Sequence, residues 1–479
     1  MRILYVASEA VPFAKTGGLA DVVGALPKFV RQLGHEAVVV LPKYRGVNAP
    51  KVLLPSLTVS LGGVLRFCAI FESEPMGGVR FFLVDYPDYF DREELYRENG
   101  QDYPDNAERF ALLSLAALEL AKRSLLPPDV IHCNDWQTSP LPVYLKTLYR
   151  NDPFFEKTKT LLTVHNLAYQ GVFHRPVLAR IGFQQELFNS EQLEFYGNVN
   201  LLKGGIIFAD RLSTVSEKYS QEIQTPEFGC GLNGVLQKRA ADLTGILNGV
   251  DYSEWNPESD PWLVANYSAS HLEGKRQCKV DLLNQFGIQA SGERPLIAII
   301  SRMADQKGFD LLYETADTMV QEGFSMVILG TGEERYTRFF LSLQKQYPAY
   351  VSARITYDEW LAHKIEGGAD LFLMPSRFEP CGLNQIYSLK YGTVPLVRAT
   401  GGLDDSIQDF WESPDGTGFK FEPYLPEALL TAARRALEVY RTPERWKQLM
   451  RNGMKRDFSW RQSAQRYSEL YQSLVSAKV

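Results

Sequence analysis

The chain alternates, along almost its whole length, between short continuous runs of Val, Ile and Leu and longer amphipathic segments. The apolar runs are RILYVAS, EAVVVL, DVIHCND, KTLLTVHN and DRLSTVS in the first half and PLIAIISR, SMVILGTG, ARITYDE, DLFLMPSR and TVPLVRA in the second. Continuous apolar runs are typical of parallel strands that are buried on both faces. Their alternation with helical segments predicts an α/β protein with doubly wound parallel sheets.

One segment interrupts this alternation and predicts a domain boundary. GILNGVDYSEWNPESD is rich in Asn, Gly, Asp and Pro and has no helical period. We place a first domain at 1–246, a second at 247–457 and a C-terminal amphipathic helix in the aromatic-rich stretch within 458–479. The runs VLRFCAIFES and VRFFLVDYPD flank PMGG and predict an inserted hairpin, which makes the first sheet mixed at one edge. Because ligands of doubly wound sheets bind beyond the carboxyl ends of the strands, we expect the two domains to meet across a cleft.

Composition narrows the class of protein. A chain of 479 residues allows two or three domains, and a net charge of −6 gives no general attraction to nucleic acid or to anionic membranes. The five cysteines are scattered, without a C-x-x-C pair, which argues against a disulfide framework and suits a reducing compartment. The N-terminal run predicts a strand and not a signal peptide, and LLSLAALELA is too short to span a bilayer. We therefore expect a cytoplasmic protein.

The motif KTGGLADV follows the first predicted strand and precedes a helix that we expect to begin near Leu19. Two glycines let the backbone approach a ligand closely, and a helix N-terminus favours negative charge. Lys15 adds a full positive charge at the same place, which predicts an anion site. Taken alone, the motif fits a tight turn with a solvated lysine equally well.

The second domain offers two further cations at a strand end. In SRMADQKGFDLL, Arg302 and Lys307 precede a helix led by Gly308 and together suit a diphosphate, although Arg302 alone suits a structural ion pair as well. The motif RATGGLDDSI provides a second strand-to-turn element whose backbone N–H groups suit phosphate oxygens. That element consists of Thr400, Gly401, Gly402 and Leu403.

The motif MPSRFEPCGLNQIYSL places Glu379 on a loop after a strand, before a helix expected at about Leu383. A carboxylate there suits hydrogen bonds to sugar hydroxyls or the stabilisation of positive charge at an anomeric carbon. The alternative is that Glu379 only stabilises the N-terminus of that helix. Cys381 has no base near it in sequence, so it suits a small lining residue better than a nucleophile.

Polar residues also follow two strands of the first domain. HCNDWQTS and TVHNLAYQG make Asp135, His165 and Asn166 candidates for sugar contacts, and the Gly-rich TPEFGCGLNGVL predicts a loop that shapes the cleft. The sequence contains no D-x-D, no complete P-loop, no H-E-x-x-H and no G-x-S-x-G. Charge neutralisation by Lys and Arg, without a metal, is therefore the hypothesis that remains.

Taken together, these motifs resemble those of the bacterial glycogen synthases, the ADP-glucose-dependent α-1,4-glucan synthases whose plant relatives are the starch synthases. The resemblance includes KTGGLADV, HNLAYQG, TPEFGCGL, GILNGVDYSEWNP, SRMADQKG, RFEPCGLNQ and TGGL in the expected order. It implies the GT-B arrangement, two Rossmann-like domains around a deep cleft with the terminal helix crossing back to the first domain. It also implies retention of anomeric configuration without a metal or cofactor, with ADP-glucose and glycogen as partners.

The resemblance also implies residue roles. Lys15 matches the lysine near the donor phosphates, Arg302 and Lys307 match the pair that neutralises the leaving ADP, and Glu379 matches the essential glutamate beside the transferred glucose. His165 matches the histidine near the glucosyl group. The catalytic candidates are therefore Arg302, Lys307, Glu379 and His165. Tyr357 matches the residue against adenine and Asn248 another donor contact. Further expected ADP-glucose contacts are Gly18, Asp21, Asn166, Cys381, Gly382, Thr400, Gly401, Gly402 and Leu403, with Asp135 on the acceptor side.

Three positions depart from the family pattern. Asp404 stands where Ala is more usual, Asn384 where Thr is common, and Asn134 in a motif that usually reads HDWQT. These departures change the surroundings of the charged set and leave its members in place. Two alternatives stay open: a related enzyme that uses UDP-glucose or a small-sugar acceptor, and a non-catalytic glucan-binding paralogue. The presence of Lys15, Arg302, Lys307 and Glu379 argues against the paralogue.

Overall fold

The computed structural model describes residues 1–289 and 293–476. The described residues form two compact units, each built around its own sheet. The first unit comprises Met1–Val215, Ser220–Gly249 and the C-terminal segment from Trp460, and the second comprises Ser216–Tyr219 and Val250–Ser459.

The strands of the first unit range from two to 11 residues, and the longest, β3 and β4, form an antiparallel pair. They are β1 (Arg2–Val6), β2 (Glu36–Pro42), β3 (Lys51–Leu61), β4 (Val64–Glu72), β5 (Arg80–Asp85), β6 (Arg97–Glu98), β7 (Gln101–Asp102), β8 (Val130–Asn134), β9 (Lys159–Val164), β10 (Val172–His174), β11 (Glu194–Phe195), β12 (Asn198–Asn200), β13 (Arg211–Thr214) and β14 (Leu243–Gly245).

The large sheet of the first unit has the order β14-β13-β9-β8-β1-β2-β5-β4-β3. Neighbours from β14 to β5 run parallel, whereas β4 is antiparallel to both β5 and β3. The mixed edge predicted around PMGG is therefore confirmed. The sequence analysis did not predict β3, whose apolar residues are buried only at alternate positions towards its end, Leu57, Val59 and Leu61. Two small antiparallel sheets, β10-β12-β11 and β6-β7, lie outside this sheet.

The second unit contains a parallel sheet of order β17-β16-β15-β18-β19-β20. Its strands are β15 (Leu296–Ile300), β16 (Ser325–Leu329), β17 (Val351–Arg354), β18 (Leu371–Met374), β19 (Val394–Arg398) and β20 (Phe419–Phe421). Ile297 and Ile299 face one apolar cluster, while Leu296 and Ala298 face another. Burial on both faces explains why these strands are continuous apolar runs. The strand predicted from ARITYDE begins earlier, at Val351, and ends at Arg354.

Helices connect the strands in both units. They are α1 (Gly18–Gln32), α2 (Pro87–Phe90), α3 (Asn106–Ser124), α4 (Asp135–Thr138), α5 (Pro140–Lys146), α6 (Val177–Ile181), α7 (Leu201–Phe208), α8 (Glu217–Glu222), α9 (Asn233–Lys238), α10 (Glu273–Phe286), α11 (Asp310–Glu322), α12 (Glu334–Gln346), α13 (Glu359–Gly368), α14 (Asn384–Tyr391), α15 (Gly401–Ser406), α16 (Pro426–Tyr440), α17 (Pro443–Met454) and α18 (Trp460–Ser476). Short 3₁₀ turns occur at Pro153–Phe155, Gln185–Leu187, Ala240–Asp242 and Asp305–Lys307. Among the described helices, none has the length and apolarity needed to cross a membrane.

The C-terminal helix α18 packs in the first unit, as the sequence predicts. Its residues Trp460, Tyr467 and Tyr471 join the apolar cluster that includes Ile3 and Tyr5 of β1. This packing explains the aromatic content of the C-terminal segment, because large apolar rings cover one face of the sheet.

A buried polar network also joins α18 to the sheet. The Tyr471 hydroxyl lies 2.7 Å from His132 Nδ1 and 3.0 Å from the Tyr5 hydroxyl. His132 Nε2 lies 2.6 Å from Thr163 Oγ1, so the imidazole has a partner at both nitrogens. Burial lowers the pKa of His132 to about 3, which keeps the ring neutral at pH 7. A buried network of this kind is costly to break because each remaining group loses its partner.

We therefore expect Tyr471→Phe to lower the free energy of unfolding by about 1–3 kcal/mol, because the buried groups around His132 and Tyr5 lose a hydrogen-bond partner. Urea unfolding followed by circular dichroism measures the change. Tyr44→Phe is the matched control, since the buried Tyr44 hydroxyl has no hydrogen-bond partner among the described residues. Equal losses of stability in the two variants would contradict this assignment.

Candidate active site

The Lys15 loop connects β1 to α1, and the helix begins at Gly18, one residue before the predicted position. A Cβ atom added at Gly17 or Gly18 would meet no other atom within 4 Å. Packing therefore does not require glycine at either position. The missing side chains instead leave open space beside a helix N-terminus, where backbone N–H groups favour an anion.

Buried groups hold this loop in place. Lys15 Nζ donates to Asp21 Oδ1 at 2.7 Å, and 47% of the Lys15 side chain is exposed. The backbone N–H and the hydroxyl of Thr16 both donate to the buried carboxylate of Glu9, the hydroxyl at 2.6 Å. The Tyr96 hydroxyl also lies 2.6 Å from Glu9. The sequence analysis missed Glu9, although an acid directly after a buried strand was a usable signal.

Asp135 follows β8 directly and adopts the left-handed region, with φ of 56°. Its Oδ1 accepts a hydrogen bond of 2.6 Å from the backbone N–H of His165, at the end of the adjacent strand β9. Burial raises the pKa of Asp135 to about 7, and the backbone N–H groups of His165 and Asn166 limit that rise. The structure thus brings together the three residues predicted as sugar contacts, on neighbouring strand ends.

His165 is buried and has a defined tautomer. Its Nε2 lies 3.0 Å from the Asn134 side-chain oxygen, while the Asn134 amide nitrogen donates to the Val6 carbonyl at 3.1 Å. Since a carbonyl oxygen can only accept, His165 has its proton on Nε2. Burial lowers the pKa of His165 to about 3. The imidazole is therefore neutral at pH 7 and can bind polar groups without adding charge.

The predicted Gly-rich loop at 225–236 is tied to the His165 loop. Gln170 donates from its side-chain nitrogen to the Cys230 carbonyl at 3.0 Å, and its oxygen accepts from Asn200 at 2.6 Å. Cys230 itself has a positive φ of 47°, and Gly231 next to it has φ of 81°. These contacts give the loop a fixed path in the first unit.

Asn248 lies just after β14 in the first unit, with 5% of its surface exposed. Its side-chain oxygen is buried and has no hydrogen-bond partner among the described residues. An unpaired buried amide oxygen is costly unless a ligand or water completes it. The unpaired oxygen is therefore available to accept a hydrogen bond.

The second unit contains a partly buried ion pair between two of the predicted residues. Lys307 Nζ lies 2.7 Å from Glu379 Oε2, with side-chain exposures of 20% and 7%. Ser376 donates to the same carboxylate oxygen at 3.0 Å. Lys307 lies in the 3₁₀ turn at Asp305–Lys307, and α11 begins only at Asp310, later than the helix predicted from Gly308.

Glu379 does not cap the helix that follows it. The N-cap residue of α14 is Leu383, without a side-chain capping bond, and the helix begins at Asn384. The side chain of Asn384 donates instead to the Ile300 carbonyl at 2.8 Å and so fastens α14 to the end of β15. The alternative interpretation, that Glu379 only stabilises the N-terminus of the following helix, therefore does not fit the structure.

The TGGL element packs directly against the backbone beside Glu379. Added Cβ atoms at Gly401 and Gly402 would lie 2.0 Å from the carbonyl oxygens of Glu379 and Cys381, respectively. The Gly402 N–H donates to the Glu379 carbonyl at 3.0 Å, and the Leu403 N–H donates to the Thr400 carbonyl at 3.1 Å. These two amides, predicted to face phosphate oxygens, are thus engaged within the chain and support the Glu379 loop.

The remaining predicted residues lie at or near strand ends of the second unit. Arg302 is exposed directly after β15, and Tyr357 is 78% exposed between β17 and α13. Cys381 is buried, and Gly382 has a positive φ of 71°. The sequence analysis missed the LGTG turn after β16, where Thr331 accepts from the Met303 N–H at 2.7 Å and so holds the Arg302 loop.

Two doubly wound α/β units with charged and polar side chains at their strand ends define a glycosyltransferase of the GT-B class. The family described as starch synthase catalytic domain matches residues 2–238, and the family of group 1 glycosyl transferases matches residues 283–453. The chain belongs to the bacterial glycogen synthase and starch synthase family.

Individual relatives agree along the whole chain. The glycogen synthase of Koribacter versatilis (strain Ellin345) is 50% identical over 476 residues, which is 98% of each chain. Glycogen synthase 2 of Geobacter sulfurreducens (strain ATCC 51573 / DSM 12127 / PCA) is 45% identical over 486 residues, with 100% of both chains covered. The catalytic domain of starch synthase IV from Arabidopsis thaliana, bound to ADP and acarbose, superposes with a TM-score of 0.90 at 34% identity and 99% coverage of both chains.

The raised pKa of Asp135 predicts a pH-dependent loss in the free energy of unfolding. Between about pH 4 and pH 7 the folded state keeps a proton that the unfolded state has lost, so Asp135 makes stability fall as pH rises. Asn tolerates a positive φ and keeps the oxygen that accepts from His165. We expect Asp135→Asn to unfold at higher urea than the parent at pH 8, with the difference shrinking towards pH 4.

Urea unfolding at pH 4, 6 and 8 measures this effect. Asp102→Asn is the control, because Asp102 is an exposed carboxylate on β7 of the same unit. A stability difference for Asp135→Asn that does not change with pH would contradict the raised pKa.

Proposed function

We propose that the enzyme transfers glucose from ADP-glucose to the non-reducing 4-hydroxyl of an α-1,4-glucan, with retention of anomeric configuration. The relatives named glycogen synthase support the reaction. The Arabidopsis structure, which holds ADP and acarbose, supports an adenine nucleotide and an oligosaccharide as ligands. These matches cover 98% or more of the chain, so they support the reaction for the whole protein.

The observation that supports this proposal most directly is the Lys307–Glu379 pair, in which the carboxylate is buried and the ammonium group is partly buried. Withdrawing such a pair from water is costly and makes it a weak source of stability, so its presence at a strand end suits a functional role. Lys307 would neutralise the diphosphate as negative charge grows on the leaving ADP. Glu379 would stabilise the positive charge that develops at the anomeric carbon of the transferred glucose. Interactions that strengthen in the transition state are the ones that accelerate a reaction.

The other donor contacts follow from charge and space. Arg302 is exposed at a strand end, where a guanidinium suits a bidentate bond to phosphate. Lys15 would add its charge beside the open space at Gly17 and Gly18, with Asp21 holding it until the donor binds. Asn248 would accept a hydrogen bond from ADP-glucose at its unpaired side-chain oxygen, and Tyr357 would stack its exposed ring on the adenine.

Asp135, His165 and Asn166 of the first unit would bind the sugar. His165 is neutral at pH 7, so it suits a hydrogen bond to a glucosyl hydroxyl and not the role of a charged acid. Asp135 and Asn166 would bind hydroxyl groups from the same strand ends, Asp135 towards the acceptor. The departing phosphate would take the proton of the acceptor hydroxyl.

The proposal assigns residues 1–246 mainly to the glucan acceptor and residues 247–457 mainly to the nucleotide-sugar donor. The positive charges of Lys15, Arg302 and Lys307 would neutralise the diphosphate, as a metal ion does in other glycosyltransferases. The reaction would therefore need no cofactor. We also propose a cytoplasmic location, which suits the five free cysteines among the described residues.

The donor is tested directly by incubating the enzyme with glycogen and either ADP-glucose or UDP-glucose. We expect nucleotide release from ADP-glucose at least about tenfold faster, a difference worth about 1.4 kcal/mol of transition-state binding. The same rate is expected with EDTA present, because lysine and arginine provide the positive charge. Turnover of UDP-glucose alone would reject the proposed donor, and a rate that vanishes with EDTA would reject the metal-free mechanism.

The residue roles are tested by Glu379→Gln and Lys15→Ala. The glutamine keeps the shape of the side chain and an acceptor for Ser376 but loses the charge, so we expect turnover to fall by about 100-fold or more. Lys15→Ala removes one phosphate contact and should slow ADP release from ADP-glucose by a similar factor.

Lys157→Ala is the control, because Lys157 is an exposed lysine of the first unit that the proposal leaves outside the site. Thermal unfolding checks that each variant is folded. Normal turnover in a folded Glu379→Gln variant would show that the carboxylate has no role in catalysis.

A further inference from the structure

A second group of chemically active side chains lies in the second unit, apart from the Lys307–Glu379 pair. We call it the His363 cluster, and it consists of Glu254, Glu359 and His363. One ligand atom from each of these residues lies within 4.8 Å of one atom from each of the others. The proposed function uses none of these side chains.

The histidine of this cluster is buried and fixed in orientation. His363 is 1% exposed, and its ring stacks on Trp255 with 3.7 Å between ring centroids and 18° between planes. Its Nδ1 lies 2.8 Å from Asp260 Oδ2, and the Tyr391 hydroxyl donates to the same oxygen at 2.6 Å. The backbone N–H of Trp262 donates to the other oxygen, Asp260 Oδ1, at 2.9 Å. Both oxygens of Asp260 therefore act as acceptors, and Nδ1 of His363 carries the proton that Asp260 accepts.

This orientation leaves Nε2 as the nitrogen that can offer a lone pair. Nε2 is buried and has no hydrogen-bond partner among the described residues. A buried polar atom without a partner calls for an explanation, and an unoccupied ligand position is one. The carboxylate behind Nδ1 is the usual outer partner of a metal-binding histidine, where it fixes the tautomer and raises the basicity of the ring.

The two glutamates complete a ligand set from two segments of the chain. Glu359 is the first residue of α13 and His363 follows one turn later, so the spacing of four places both on the same helix face. Glu254 comes from the segment that precedes Asp260.

We propose that the His363 cluster binds one divalent transition-metal ion, with zinc the best match. One imidazole nitrogen and two carboxylate oxygens suit zinc, which is commonly held by three protein ligands with water in the fourth position. Magnesium and calcium prefer ligand sets made only of oxygen. The bound ion would connect the 251–260 segment to the start of α13 and so stabilise the second unit.

The test uses the full chain, stripped with EDTA and dialysed, and zinc chloride as the probe. Isothermal titration should show one zinc bound per chain. Zinc at about 100-fold above its dissociation constant should raise the midpoint of thermal unfolding by about 5 °C or more. The double variant E254Q/E359Q should bind zinc at least about 100-fold more weakly. Both glutamates are exposed, so this variant is expected to fold.

Glu258→Gln is the matched control, because Glu258 is an exposed acid in the same segment as Glu254. It should bind zinc as the parent chain does. Absence of stoichiometric binding would overturn the proposal. Unchanged zinc affinity in E254Q/E359Q would also overturn it, because the ion would then lie on other side chains. A third contrary result would be a parent chain that does not respond to zinc and is less stable than the metal-free double variant.

Discussion

The candidate site of the second unit depends on the ion pair between Lys307 and Glu379. Both groups are largely removed from water, so each would be costly without the other. Three close backbone contacts fix the carboxylate side of the pair: a Cβ at Gly401 would strike the Glu379 carbonyl, one at Gly402 the Cys381 carbonyl, and one at Gly308 the Pro375 carbonyl. The glycines of QKG and TGGL are thus explained by packing around one charged pair.

The glycines of the Lys15 loop have a different explanation. Side chains at Gly17 and Gly18 would meet nothing, and both residues avoid the left-handed region. Neither packing nor backbone strain therefore demands glycine there. The two glycine motifs look alike in sequence, yet one packs against the Glu379 loop and the other leaves open space beside a helix N-terminus. This open space is consistent with the anion site predicted at Lys15, which stays a prediction.

Much of the fold could be predicted because parallel strands buried on both faces give continuous apolar runs. The same rule fails for β3, whose burial alternates along a mixed sheet edge. In the site, strand ends correctly brought Asp135 and His165 together. The Asn134–His165 bond could not be predicted, because it depends on which side chains meet across neighbouring strand ends. The His363 cluster was missed for the same reason, since Glu254 and His363 are distant in sequence.

The departures from the family pattern can now be interpreted physically. Asn384 donates to the end of β15, and Asp404 pairs with Lys420 at 2.7 Å. Asn134 accepts from His165 and so sets its tautomer. Asn384 and Asp404 are therefore structural supports within the second unit, and neither is among the proposed ADP-glucose contacts. Asn134 differs, because it fixes the proton on a proposed sugar contact. A departure at that position acts on the chemistry of the site, whereas the other two act on the packing that holds it.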